Sequence, residues 1–230
     1  MHSVSRLTVA SEDPMPPPYP TSAAFAAAAH AFVNKYPRER GAGLGPDRTN
    51  AGWEWRTTSD RFRGEQGYLA RRTTLWLAPD EEAGSEDEEE MLEEDDDAVA
   101  PPPPRRLEVE YSVVWSASYR VPMLCFRAWD ESGTPAPLAT VAAHLLRASI
   151  PTDTAPGSRP DALLLPAAPF PLIQAGEHPV TGIAVWSVHP CEVRNAVEEI
   201  VRAEGGEGDR GLRWLEAWFM LSDSVVDLTL

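Results

Sequence analysis

Two runs with strand-like apolar patterning, Arg106 to Trp115 and Tyr119 to Trp129, are separated by only Ser116-Ala117-Ser118. In the first, Leu107, Val109 and Tyr111 fall on one side of an extended chain, the period-2 signature of a half-buried strand. A connection this short cannot return a strand parallel to its neighbour, so the two runs must pair as an antiparallel hairpin. Tyr68 to Leu77 alternates well enough for a third strand, and Ile183 to Val188 for a last one. The fold class expected is α+β: an antiparallel sheet of about four strands with flanking helices.

The helices are legible from spacing and caps. Thr21 to Lys35 is alanine-rich, carries Phe25, Ala28, Ala29 and Phe32 at helical intervals, and has Thr21 or Ser22 as a cap, with Pro37 ending it. The loop from Arg38 to Ala51 leads to Trp53-Glu54-Trp55, which puts two Trp on one face of an extended segment. Pro137 to Ala148 has helical character. Val193, Ala196, Val197 and Ile200 form an apolar stripe on a helix that Gly205-Gly206 stops. Leu212 to Leu221 is the last helix, with Trp214, Leu215, Trp218, Phe219 and Leu221 expected inside, and Val225, Val226 and Leu228 closing the chain against the core.

Two insertions interrupt this plan. Asp80 to Asp97 contains 13 acidic residues and no basic ones, which accounts for most of the net charge of −16. Such a run repels itself, so residues 79–104, ending in four prolines, are expected to be a disordered insertion in a hairpin connection, where added length costs little. Residues 151–171 form a second loop rich in Pro and Ala. Residues 1–20, ending in MPPPYP, are expected to be a flexible lead-in, and residues 21–230 a single domain.

The charge balance argues against binding nucleic acid or an anionic lipid surface directly. No apolar run reaches the length of a membrane span, and the N-terminal stretch lacks the features of a signal peptide. A cytoplasmic location with reduced thiols is expected. No CxxC, HExxH or phosphate-binding glycine loop is present, so neither a metal nor a cofactor is expected.

The two cysteines, Cys125 and Cys191, stand in different settings. Cys125 falls inside an apolar strand, where a thiol packs and does not react. Cys191 follows His189-Pro190 at the junction between the last strand and a helix. Pro190 breaks the strand, which leaves Cys191 beside the helix N-terminus, whose unpaired N–H groups favour a thiolate. The chemistry that fits is nucleophilic acyl transfer through Cys191. A protease-like pairing with His30 or His144 has no support in the sequence.

The chain resembles the autophagy-related protein 10 family of ubiquitin-conjugating-enzyme-like proteins. The matching residues are Gly52 to Arg56 with Gly67 to Leu69, Tyr111 to Ser116 through Tyr119 to Ala128, Glu177-His178-Pro179, His189-Pro190-Cys191, and Trp214 to Trp218 followed by Val225-Val226. Five motifs in order are far more specific than HPC alone. The resemblance implies a ubiquitin-conjugating-enzyme-like fold, with His189 and Pro190 in the active-site motif and Cys191 as the catalytic residue. It further implies that autophagy-related protein 7, an activating enzyme, hands autophagy-related protein 12 to Cys191 as a thioester. A lysine of autophagy-related protein 5 then takes it without a separate ligase, so the enzyme would contact its acceptor directly; the location expected is the cytoplasm, with a transient presence at the forming autophagosome membrane. Conventional conjugating enzymes use an Asn to support the oxyanion; here backbone N–H groups at Glu192 to Arg194 are expected to take that part, with Glu192 raising the thiol pKa. Asp223-Ser224 replaces the family's usual Gly-Pro before the final Val-Val. Asp223 and Asp227 are candidates for deprotonating the attacking lysine.

Two other readings compete. The autophagy-related protein 3 family shares HPC but transfers autophagy-related protein 8 to phosphatidylethanolamine; the N-terminal residues here do not form the amphipathic helix typical of it. A non-catalytic adaptor with a conjugating-enzyme fold is the other, and a cysteine in its proper motif argues against it.

Overall fold

A sheet with seven strands among the described residues forms the frame. The structure is a computed structural model that describes residues 19, 21–37, 47–61, 64–77, 105–147, 162–163, 172–190, 193–205 and 208–229. Strands β1 (Glu54–Asp60), β2 (Gly64–Leu77), β3 (Arg105–Ser116) and β4 (Val121–Asp130) make an antiparallel meander. Strands β5 (Ala162–Leu163), β6 (Ile173–Glu177) and β7 (Ala184–Val188) extend it beyond β4, in the order β1-β2-β3-β4-β7-β6-β5. The helices are α1 (Ser22–Lys35), α2 (Asp47–Asn50), α3 (Leu138–Leu145), α4 (Val193–Glu204) and α5 (Arg210–Asp223).

Helix α1 is held where propensity and capping agree. Its alanines cost little order, the Thr21 hydroxyl accepts from the Ala24 N–H at 3.2 Å, and Pro37 prevents continuation. Phe25, Ala28, Ala29 and Phe32 are buried as the spacing predicts. Helix α5 is capped by Asp209, whose carboxylate accepts from the Gly211 and Leu212 N–H groups. Its aromatic stripe meets that of α1: Phe32 stacks on Phe219 at 4.5 Å, and Trp53 lies 4.9 Å from the same ring. Trp214 and Trp218 are fully buried. Burying side chains of this size contributes roughly 1.5–3 kcal/mol each, so these two helices and the sheet face beneath them dominate the core. Leu221, expected inside, is half-buried and packs against the edge of the core.

Arg71 ties the sheet to two distant segments. Its guanidinium is buried, donates to the carbonyls of Thr49, Ala51 and Leu228, and lies against the rings of Trp53 and Tyr111. Arg147 does the same at the end of α3: it donates to Asp223 Oδ2 at 2.7 Å, to Asp227 Oδ2 at 3.0 Å and to the Asp223 carbonyl at 2.8 Å. Asp223 Oδ1 also accepts the Leu228 N–H, and the Ser224 hydroxyl donates to the Leu221 carbonyl. Asp223-Ser224 thus pins the closing segment by hydrogen bonds.

Several expectations are corrected. The sheet has seven strands where about four were expected. Glu54–Asp60 is a full strand paired with β2, and Ile173–Glu177 pairs with β7 through five residues. Ala162–Leu163, inside the expected Pro/Ala-rich loop, is a short edge strand on β6; residues 151–161 and 164–171 lie outside the described residues. Asp47–Asn50 forms a helical turn in the expected Arg38 to Ala51 loop. Tyr119 and Arg120 belong to the β3–β4 turn, with Arg120 at φ 56. Tyr19, placed in the flexible lead-in, is 1% exposed: its hydroxyl donates to the Gly211 carbonyl at 2.6 Å and its ring packs edge-on against Phe25 and Trp214. Residues 1–18 and the acidic insertion at 79–104 lie outside the described residues.

Candidate active site

Strand β7 delivers the site. Strands β6 and β7 form a hairpin whose register runs from Ile173↔Val188 to Glu177↔Ala184. Its turn is closed by the His178 N–H to the Ile183 carbonyl and the Gly182 N–H to the His178 carbonyl, both at 2.8 Å. Pairing to the meander is brief, only Cys125↔Ser187 and Phe126↔Trp186. The turn reaches the sheet face opposite the helices, where Val180 and Val185 pack with Tyr68, Ala70, Val114, Met123 and Cys125.

His178 is the polar centre of that contact and is 3% exposed. Its Nδ1 accepts the N–H groups of Val180 and Thr181, at 3.2 and 3.1 Å. That leaves Nε2 as the protonated nitrogen, 3.0 Å from the Ser112 hydroxyl on β3. The Ser112 hydroxyl lies 3.4 Å from the Cys125 carbonyl, and the imidazole packs edge-on against Tyr68 with centroids 4.8 Å apart. Burial pushes the imidazole pKa down to about 4. The Glu-His-Pro motif is therefore a structural peg: a neutral histidine that folds the β6–β7 turn and fastens it across two further strands.

At the other end of β7, the His189 N–H donates to the Leu172 carbonyl at 2.9 Å, and Pro190 is buried. Proline there cannot extend the ladder, so regular pairing ends. Cys191 and Glu192 lie outside the described residues, and α4 opens at Val193. The Tyr119 hydroxyl, on the β3–β4 turn, stands 3.4 Å from His189 Nε2, with the rings edge-to-face at 5.6 Å. Sequence reasoning missed Tyr119, because it meets His189 only when the sheet brings together residues 70 apart.

Cys125 is excluded as a nucleophile on physical grounds. It is fully buried and its thiol pKa is pushed up to about 12 by that burial, so almost none of it is thiolate at neutral pH. Asp223 and Asp227, considered as proton acceptors, are engaged with Arg147 and the backbone of the closing segment. His30 packs against the Trp55 ring, and His144 is exposed on α3. Among the described residues no cluster of His, Cys, Asp and Glu has the makings of a metal site.

An antiparallel sheet carrying helices on one face, with its last strand running into His-Pro-Cys ahead of a helix, defines a ubiquitin-conjugating-enzyme-like scaffold. Sequence comparison sharpens that class. Residues 24–230 match the family described as autophagocytosis associated protein, active-site domain, and the chain belongs to that family. It is similar to the ubiquitin-like-conjugating enzyme ATG10 of Arabidopsis thaliana, 25% identical over 121 residues, which is 52% of this chain and 48% of that protein. It is likewise similar to the ubiquitin-like-conjugating enzyme ATG10 of Homo sapiens, 24% identical over 124 residues, 54% of this chain and 50% of the relative. The chain spans about half the length of the curated relatives it matches.

Proposed function

We propose that this chain is a ubiquitin-like-conjugating enzyme of the autophagy pathway, with Cys191 as its nucleophile. The observation that carries the proposal is the placement of His189-Pro190-Cys191 between β7 and α4 in a family member whose other thiol is inert. Autophagy-related protein 7 presents the C-terminal glycine of autophagy-related protein 12 as an activated acyl group; the Cys191 thiolate attacks its carbonyl, the bond to the activating enzyme's leaving group breaks, and a thioester forms on Cys191. A lysine amine of autophagy-related protein 5 attacks the carbonyl, a C–N bond forms, the C–S bond breaks, and Cys191 leaves as thiolate.

The chain's own residues divide that work. Val193 and Arg194 open α4, where backbone N–H groups lack helical partners and suit a developing oxyanion. The Tyr119 hydroxyl stands 3.4 Å from His189 Nε2, at the outer limit of a hydrogen bond, and its ring packs edge-on against the imidazole two residues before Cys191. The β6–β7 hairpin, pegged by His178, sets where β7 ends.

The test is a reconstituted reaction with the activating enzyme and ATP, offering autophagy-related proteins 12 and 8 separately, with autophagy-related protein 5 or vesicles containing phosphatidylethanolamine as acceptor. An isopeptide product between proteins 12 and 5 is expected. Lipidated protein 8 in its place would assign the chain to the lipid-conjugating relatives.

A further inference from the structure

The chain has 20 basic side chains, and Lys35 is the one lysine among them; every other is arginine. Lysine is ordinarily among the commonest residues of a soluble domain. The charge work of this fold is done by guanidinium groups: Arg56, Arg72 and Arg127 surround Glu110, and Arg147 holds Asp223 and Asp227. The distinction matters for a protein that carries an acyl thioester. A neutral lysine amine attacks such a carbonyl, whereas a guanidinium stays protonated at any physiological pH and does not.

The one lysine amine is also held in a specific contact. Lys35 ends α1, and its Nζ lies 2.5 Å from Glu216 Oε1 on α5. The Tyr36 hydroxyl donates to the same oxygen at 2.8 Å, and the ammonium sits 5.3 Å from the Tyr36 ring centroid. About half of the Lys35 side chain is exposed, so it remains within reach of an acyl donor from solution. The Glu216 hydrogen bond is the largest influence pushing its ammonium pKa up, which keeps the amine protonated.

We propose that this chain is built to spare itself from its own thioester: its basic side chains are arginines, which do not accept the acyl group, and Lys35, the one lysine open to self-conjugation, is held as a paired ammonium by Glu216. The inference rests on the thioester reading of Cys191. In the guarded reaction the Lys35 ammonium would give a proton to solvent and the neutral amine would attack the thioester carbonyl; a C–N bond would form as the C–S bond breaks, the nitrogen would give a second proton to solvent, and Cys191 would leave as thiolate.

Two readouts test it. The first is independent of enzyme activity: acetic anhydride labelling of Lys35 at neutral pH, followed by mass spectrometry, in the natural chain and in Glu216→Gln. An exposed ion pair of this kind corresponds to a change of about two- to fivefold, so labelling should rise by that factor in the variant. The second charges the chain with autophagy-related protein 12 in the absence of acceptor and reads the adduct that survives reductant. The natural chain should accumulate little, Lys35→Arg less, and Glu216→Gln more, all on Lys35. Arg120→Lys, which places an amine on the turn that carries Tyr119, should accumulate a further adduct at that position. Unchanged labelling in Glu216→Gln would remove the guard. A thioester that forms normally in Arg120→Lys and Glu216→Gln with no gain of reduction-resistant adduct in either would overturn the proposal. Absence of any thioester would instead refute the reading of Cys191, and the labelling result would still judge Glu216.

Discussion

His178 offers a quantitative check on how the site is held. Its imidazole is neutral in the fold because it is buried among Tyr68, Ser112 and the β6–β7 turn, and because Nδ1 must accept two N–H groups. Burial pushes its pKa down to about 4 from an ordinary value of 6.5. The nearby charges are Glu110 on β3, which favours the imidazolium, and Arg127 on β4, which opposes it. Burial works against the Glu110 carboxylate, but hydrogen bonds and charge from Arg72 and Arg127 outweigh it and hold that pKa below the usual value, so Glu110 stays ionised in the window concerned. Because the folded pKa is the lower one, the unfolded chain binds the extra proton first as pH falls. Stability attributable to a neutral His178 is therefore present above about 6.5 and is lost as pH drops towards 4. Between pH 7 and about 5.2, still above the pI of about 4.7, the loss comes to about 1.5 kcal/mol. Denaturant unfolding followed by tryptophan fluorescence measures it, with His178→Asn as a reference that has no titrating ring. The gap between the two proteins should change by that amount across the pH range. Parallel pH dependences would refute the account of a buried, neutral peg.

Three further perturbations probe the frame. A Cβ on Gly67 would come within 2.0 Å of the Trp55 ring, so Gly67→Ala should destabilise by about 1–3 kcal/mol in denaturant titration, and Trp55→Leu in the same chain should recover part of the loss. Arg71→Met removes the donor for three carbonyls and should lower stability by about 2–4 kcal/mol, with faster hydrogen exchange near Leu228. Cys125, buried with a thiol pKa near 12, should react with a thiol reagent only after global unfolding, and Cys125→Ala should leave thioester formation intact.

What could be read in advance follows a physical divide. The meander was visible because its strands alternate and the short turn between β3 and β4 leaves one pairing direction, as Leu107, Val109 and Tyr111 lying buried on the inner face bear out. Helix α1 was visible because spacing, Thr21 and Pro37 act locally. Strand β6 was not: in Ile173–Glu177 only Ile173 is buried, and the segment exists as a strand because β7 pairs with it. Tyr19 was hidden by the prolines around it, and its burial depends on Gly211 and Trp214 nearly two hundred residues away. The His178 peg and the Tyr119–His189 contact depend on a hairpin crossing a sheet face and on a turn meeting a strand end, neither of which leaves a periodic trace. The acyl-transfer role proposed for Cys191 rests on its position in the sequence after His189-Pro190, since Cys191 lies outside the described residues, and the burial of Cys125 argues against the other thiol.

The most direct test of the central claim is to charge the chain with autophagy-related protein 12, using the activating enzyme and ATP, and to compare it with Cys191→Ser and Cys125→Ser on reducing and non-reducing gels. The account predicts a thiol-sensitive adduct in the natural chain and in Cys125→Ser, replaced in Cys191→Ser by a stable ester. An adduct that persists as a thioester in Cys191→Ser, or no adduct in the natural chain under conditions that charge the activating enzyme, would contradict it.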